Sequence, residues 1–174
     1  MVASQGNVVI HAGTLIDGSG AEPSRGVYIS IVDGLIEAVT SNPPANSTVP
    51  FLDASSLTIL PGLIDCHVHL CMDPVPDIAA HMTGESEAMT LLRGVRNAWK
   101  TLQSGVTTVR NVGTRADLDL DLDHAIRDDI VPGPRIVAAG RVICVTGGHG
   151  HFMGLEADGP EEIRHAVRTL VKRG

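Results

Sequence analysis

From Pro61 onward the sequence alternates between short apolar runs and longer segments whose apolar residues repeat every three or four positions. The pattern predicts strands at 60–70, 106–109 and 135–139, and helices at 85–104, 117–129 and from Pro160 to about Arg173. Such alternation indicates an α/β fold in which parallel strands are joined by right-handed crossovers.

One segment of this half allows two interpretations. Residues 117–123 alternate Asp and Leu with period two, which is compatible with a strand. A helix is favoured because Leu118, Leu122 and Ile126 fall on one face and because aspartates in a first turn suit the helix dipole.

Residues 7–60 have the character of β structure. Val8–Ile10 forms a first predicted strand, and Asp33-Gly34 lies between two apolar runs, which is a strong signal for a two-residue hairpin turn. Further short strands are predicted at 52–53 and 57–60. The change at Pro61 therefore predicts two domains, residues 1–60 and 61–174.

The strand that opens the second half reads Pro-Gly-Leu-Ile-Asp-Cys-His-Val-His-Leu over residues 61–70. Side chains alternate faces along a strand, so Asp65, His67 and His69 share one face. Two imidazoles on one face can bind one metal ion, although paired histidines can also serve only as hydrogen-bonding residues. Cys66 is expected on the opposite face as a small buried apolar residue.

Together with Thr146-Gly-Gly-His-Gly-His-Phe-Met-Gly-Leu-Glu-Ala-Asp-Gly159, this strand resembles the amidohydrolase superfamily. The second run is similar to its imidazolonepropionase-like branch, which includes prolidase-type dipeptidases acting on Xaa-Pro substrates. The resemblance implies a small β-sandwich-type domain over 1–60. It also implies that residues 61–174 are the first three βα units of a (β/α)₈ barrel.

The resemblance also implies roles for individual residues. His67 and His69 would bind Zn²⁺ or another divalent metal, as one or two ions, and Asp65 would orient its neighbours. His149 and His151 would contact the substrate carbonyl or carboxylate, or else hydrogen-bond only within their loop. The reaction implied is hydrolysis of an amide or peptide-like C–N bond, in a dipeptide or a cyclic amide, by metal-activated water.

The implied barrel is incomplete, because such a barrel needs about 250 residues. The bridging lysine, the later histidines and the aspartate that the family uses on strands four to eight have no counterpart here. We therefore expect a piece of a longer enzyme, inactive alone, that needs a complementary chain and forms a homo-oligomer when complete. The alternative is a non-catalytic subunit or binding module that packs against a partner chain.

Composition excludes several other classes. The chain of 174 residues has a formal net charge of −7 and 43% hydrophobic residues. It therefore offers no basic stripe for nucleic acid or anionic membrane. It contains three cysteines, and this odd number without framework spacing predicts reduced thiols and a cytoplasmic location.

Overall fold

The computed structural model describes residues 6–45 and 48–174. Residues 1–5, 46 and 47 belong to the predicted 1–60 domain and lie outside the described residues. The chain divides into two compact units, Met1–Pro61 and Gly62–Gly174. The fold is mixed α/β.

The first unit is a four-stranded sheet with strand order β3-β2-β1-β4. Its strands are β1 (Val8–Leu15), β2 (Ser24–Val32), β3 (Leu35–Thr40) and β4 (Phe51–Ile59). The predicted hairpin joins β2 to β3, and Asp33 and Gly34 both have positive φ, at 50° and 77°, as a primed turn requires. The two short strands predicted after residue 50 form the single strand β4. Ala12, Val27 and Ile29 make the core of this unit.

The second unit contains a parallel sheet with strand order β5-β6-β7, which confirms the predicted strand–helix alternation. Its strands are β5 (Leu63–Val68), β6 (Val106–Asn111) and β7 (Arg135–Val137), and its helices are α1 (Ile78–Gly84), α2 (Glu87–Gln103), α3 (Leu118–Arg127) and α4 (Gly159–Arg173). The helical interpretation of the Asp/Leu segment is correct, because most of the segment lies in α3. A short 3₁₀ turn at Arg115–Asp117 leads into this helix.

Helices α2 and α3 cover one face of this sheet. The buried core consists of Leu70, Ala98, Val109, Leu122 and Ile136, which come from the sheet, the end of β5 and both helices. Helix α2 is amphipathic, as the sequence predicts, and Gly105 just beyond it adopts φ of +92°. This core fixes the strand ends that position the candidate site.

Three features of the second unit differ from the expectation. Helix α1 lies between the strand predicted at 60–70 and the helix predicted at 85–104, where no element is predicted, and it begins where the Asp77 carboxylate accepts the N–H of Ala80 at 2.9 Å. Two short strands, β8 (Ile143–Cys144) and β9 (Leu155–Glu156), pair in parallel between the strand predicted at 135–139 and the helix predicted from Pro160, where no element is predicted. On α4 only Ala166 is buried, while Val171 is 74% exposed, because no element of the described residues covers that side of the helix.

The three cysteines are free, as the sequence predicts. Among the described residues, no helix is long and apolar enough to cross a membrane.

Candidate metal centre

The two histidines of the first parallel strand come together at its carboxyl end. The ring centroids of His67 and His69 are 5.5 Å apart, and the rings lie edge to face at 76°. His67 is exposed and His69 is half-buried. Because parallel strands of α/β folds present functional groups at their carboxyl ends, this is the expected position for a site.

The ring of His69 is held by a backbone carbonyl. Its Nδ1 lies 3.0 Å from the carbonyl oxygen of Gly113, which follows β6. A carbonyl oxygen only accepts hydrogen bonds, so Nδ1 carries the proton and the lone pair lies on Nε2. This tautomer is the one in which a histidine binds a metal through Nε2 while its other nitrogen is fixed by the protein.

Asp65, the predicted orienting residue, contacts the backbone of the same strand. Its Oδ1 accepts the N–H of His67 at 3.0 Å. The contact fixes the path of the chain at the first histidine, and the orienting role of Asp65 toward an imidazole stays a prediction.

The expectation that Cys66 is buried is wrong, since its side chain is exposed. The reason is that, in the described part of the chain, no element packs over the face of β5 that carries Cys66. Cys71, by contrast, is buried beside α2, and burial raises the pKa of its thiol to about 11. Cys71 therefore stays protonated at neutral pH.

A buried polar pair behind His69 is the feature that the sequence did not reveal. The Asn111 Oδ1 accepts the N–H of Leu70 at 2.9 Å, and its Nδ2 donates to the Asp119 carboxylate at 3.0 Å. Both polar side chains are fully buried, and burial raises the pKa of Asp119. The sequence does contain a hint that Asp119 is buried: it is next to Leu118 and three residues before Leu122, and both leucines lie on the predicted core side of α3.

An ion-paired cluster anchors the segment that follows the histidines. The Asp73 carboxylate accepts from Arg96 Nη2 at 2.6 Å and from Asn97 Nδ2 at 3.1 Å, and it also pairs with Arg93. These hydrogen bonds, led by the one from Arg96, hold the pKa of Asp73 well below its usual range. Arg93 also pairs with Glu85 at 2.6 Å, which ties the segment to the start of α2.

The glycine-rich loop carries the other two predicted site histidines, and both are exposed. The Nδ1 of His151 lies 3.1 Å from the carbonyl oxygen of Gly148, which is the local hydrogen bond considered as the alternative role. The ring of His151 also meets that of Phe152 edge to face at 5.8 Å. A substrate contact by His149 or His151 stays a prediction.

The described residues supply a pair of candidate ligands. Across residues 6–45 and 48–174 there is no group of three or more His, Cys, Asp or Glu side chains that could hold a metal ion. Catalytic zinc takes about three protein ligands, so His67 and His69 alone make an incomplete first shell.

Residues 58–174 match the Amidohydrolase family, and the chain belongs to that family. The resemblance identified in the sequence is therefore confirmed.

Curated relatives agree with this assignment. Ochratoxinase of Aspergillus niger is 30% identical over 202 aligned positions, which cover 95% of this chain and 40% of the relative. A dihydroorotase of Citrifermentans bemidjiense is 38% identical over 68 residues, which are 37% of this chain and 15% of the relative. The chain thus spans about two fifths of the ochratoxinase it matches.

Solved structures give the same result. A Xaa-Pro dipeptidase with methionine bound in its active site superposes with a TM-score of 0.83 at 30% identity, over 97% of this chain and 45% of that protein. The crystal structure of A. niger ochratoxinase gives a TM-score of 0.82 at 28% identity, over 97% of this chain and 44% of that protein.

Proposed function

We propose that this chain contributes His67 and His69 as metal ligands to an amidohydrolase that cleaves an amide or peptide-like C–N bond. The observation that carries the proposal is the hydrogen bond from His69 Nδ1 to the Gly113 carbonyl, which leaves the Nε2 lone pair free to bind. His67 lies beside it, with 5.5 Å between ring centroids.

The donor set fits a divalent ion of the zinc type. Imidazole nitrogen is a preferred ligand of Zn²⁺, and both rings are at least partly accessible. A divalent ion bound here, alone or with a second one, would lower the pKa of a water molecule and polarise the scissile carbonyl. The chain's own part is to hold the two imidazoles, with Asp65 and Gly113 fixing the backbone and the ring.

Two classes of substrate are supported by the relatives. A Xaa-Pro dipeptidase is among the similar structures and a dihydroorotase is among the curated relatives, so both a dipeptide and a cyclic amide are candidates. His149 and His151 on the glycine-rich loop would contact the substrate carbonyl or carboxylate. Both are exposed and able to donate hydrogen bonds.

The finer architecture is also part of the proposal. The sheet β5-β6-β7 with its helices would be the first three βα units of a barrel, and the first unit would be one part of a β-sandwich. Exposed apolar side chains on both units support this, among them Leu35, Ile64 and Val171 at 74%, 68% and 74% exposure. Such surface normally packs against further protein.

The same exposed surface supports the alternative, a non-catalytic subunit that packs against a partner chain. Metal binding separates the two roles, because a purely structural subunit has no need of a free Nε2 on His69. The expected state of residues 1–174 alone is weak metal binding and no hydrolase activity, since the described part of the chain supplies only two candidate ligands.

The test is a titration of the chain with Zn²⁺, followed by ¹H–¹⁵N NMR of the histidine rings. His67→Ala and His69→Ala should each abolish the shift of the remaining ring, whereas His124→Ala, at an exposed position on α3, should leave it unchanged. Zn²⁺ shifts that persist in both ligand variants would contradict the assignment. In a full-length protein that carries this segment, the two variants should also lose bound metal and hydrolysis of Xaa-Pro dipeptides or cyclic amides.

A further inference from the structure

We propose that Asp119, a fully buried carboxyl on α3, is the positioning residue for His69. The inference rests on the proposed function in one respect, namely that His69 is a metal ligand. Asp119 does not touch His69, but two separate chains of hydrogen bonds begin at its Oδ2 atom: one ends at the backbone of Leu70, the residue after His69, and the other ends at the His69 ring.

The first chain fixes the backbone. Asp119 Oδ2 accepts from Asn111 Nδ2 at 3.0 Å, and Asn111 Oδ1 accepts the N–H of Leu70 at 2.9 Å. Leu70 directly follows His69, so this contact sets where the carboxyl end of β5 leaves the sheet. Asn111 is the last residue of β6, and a helix residue thus connects two strand ends through one amide side chain.

The second chain fixes the ring. Asp119 Oδ2 accepts the N–H of Gly140 at 3.1 Å, and the Gly140 carbonyl accepts the N–H of Thr114 at 3.0 Å. The neighbouring Gly113 carbonyl accepts from His69 Nδ1 at 3.0 Å. The Gly113 carbonyl, which selects the metal-binding tautomer of His69, is therefore held in place by Asp119 Oδ2 through two hydrogen bonds, one from Thr114 to Gly140 and one from Gly140 to Asp119.

What this arrangement needs from Asp119 is an acceptor. Oδ2 receives all three donors, the third being the N–H of Ala139 at 3.2 Å, while nothing in the described part of the chain donates to the buried Oδ1. Burial favours the neutral form of such a group, and a neutral side chain that keeps a carbonyl oxygen at the Oδ2 position would still accept these hydrogen bonds. Asparagine at position 119 should therefore preserve both chains of hydrogen bonds, whereas leucine should break both.

The experiment compares Asp119→Asn and Asp119→Leu with Leu122→Ala, a cavity-forming change in the same helix that removes no hydrogen bond. Three readouts are taken on the chain: the His69 tautomer from long-range ¹H–¹⁵N spectra, amide exchange at Leu70, and the Zn²⁺ dissociation constant. Asp119→Leu should mix the two tautomers, accelerate exchange at Leu70 and weaken Zn²⁺ binding about 10- to 100-fold. Asp119→Asn should stay within about threefold of the parent in Zn²⁺ binding, and Leu122→Ala should keep the parent tautomer.

Asn111→Ser tests the two chains separately and covers the case in which Asp119→Leu does not fold. It removes the acceptor for Leu70 but leaves the route through Gly140, so exchange at Leu70 should rise while the His69 tautomer is retained. The proposal is overturned if Asp119→Leu and Leu122→Ala behave alike, if Asp119→Asn is as damaging as Asp119→Leu, or if Asn111→Ser leaves Leu70 protected. Absence of Zn²⁺ binding in the parent chain would refute the metal role of His69, and the tautomer and exchange would still decide whether Asp119 positions it.

Discussion

Replacing Gly113 with alanine should disturb both stability and the candidate site. Gly113 has φ of +133°, which side chains rarely adopt, and its carbonyl is the acceptor for His69 Nδ1. A Cβ at this position would lie 2.5 Å from Val142 Cγ1 and 3.5 Å from the Val142 backbone nitrogen. Real Cβ atoms do not approach so closely, so the backbone at Gly113 or the side chain of Val142 must move.

The magnitude follows from three contributions. Forcing a residue with a side chain into this part of backbone space costs about 1–3 kcal/mol. The overlap with Val142 adds about 1–3 kcal/mol, as inserted methyl groups in packed regions do. Loss of glycine's freedom in the unfolded chain offsets about 0.4–1 kcal/mol. We therefore expect Gly113→Ala to lower the free energy of unfolding by roughly 1–6 kcal/mol, with a central value of about 3 kcal/mol.

The matched control is Gly147→Ala, in the glycine-rich loop. Gly147 also has positive φ, at +66°, but a Cβ there meets nothing within 4 Å. Its cost is the left-handed conformation alone, about 1–2 kcal/mol before the same entropic offset. The difference between the two variants therefore reports the contact with Val142 and the geometry of the Gly113 carbonyl.

The assay is urea unfolding followed by circular dichroism, combined with the His69 tautomer from NMR. A double-mutant cycle with Val142→Ala should recover about 1–3 kcal/mol of the Gly113→Ala loss, because the cycle isolates the overlap between the two side chains. Equal stability of Gly113→Ala and Gly147→Ala, with an unchanged His69 tautomer, would refute the reasoning. A coupling energy of zero in the cycle would refute the steric part of it.

Three further outcomes are expected. Iodoacetamide should label Cys66 rapidly in the folded chain and spare Cys71, because the first thiol is exposed and the second is buried with its pKa raised to about 11; equal labelling by mass spectrometry would contradict this. The pKa of Asp73 is depressed, so its ion pairs stabilise the fold above its ordinary value of about 3.9 and are lost as pH falls below it. Asp73→Asn should therefore lower stability near neutral pH and flatten the acid limb of a pH–stability curve, and an unchanged acid limb would show that Asp73 contributes little. In a full-length enzyme, His151→Ala should leave metal content intact and lower kcat/KM on the order of a hundredfold, and unchanged kinetics would leave His151 with its local hydrogen bond only.

The sequence predicted those parts of the fold that depend on periodic patterns. The alternation after Pro61 predicted the parallel sheet, and the Asp33-Gly34 pair predicted the hairpin, because both are local signals. Helix α1 was missed since its seven residues are too few to show a repeating stripe. Exposure of Cys66 was missed because strand periodicity says which residues share a face but not whether another element covers that face.

The candidate site shows the same division between local and long-range information. The spacing of His67 and His69 on one strand is local, so the sequence alone indicated a metal-binding pair. What holds His69 is not local: Leu70 and Asn111 are 41 positions apart, and His69 and Gly113 are 44 positions apart. Asp119 looked like one of several aspartates suited to a helix start. The packing of α3 against the strand ends buries this carboxylate completely and brings three N–H donors to it. The candidate ligands are thus encoded within a few residues, whereas the geometry that holds His69 depends on the ends of β6 and β7 meeting at one buried oxygen atom, with the end of β5 linked to it through Asn111.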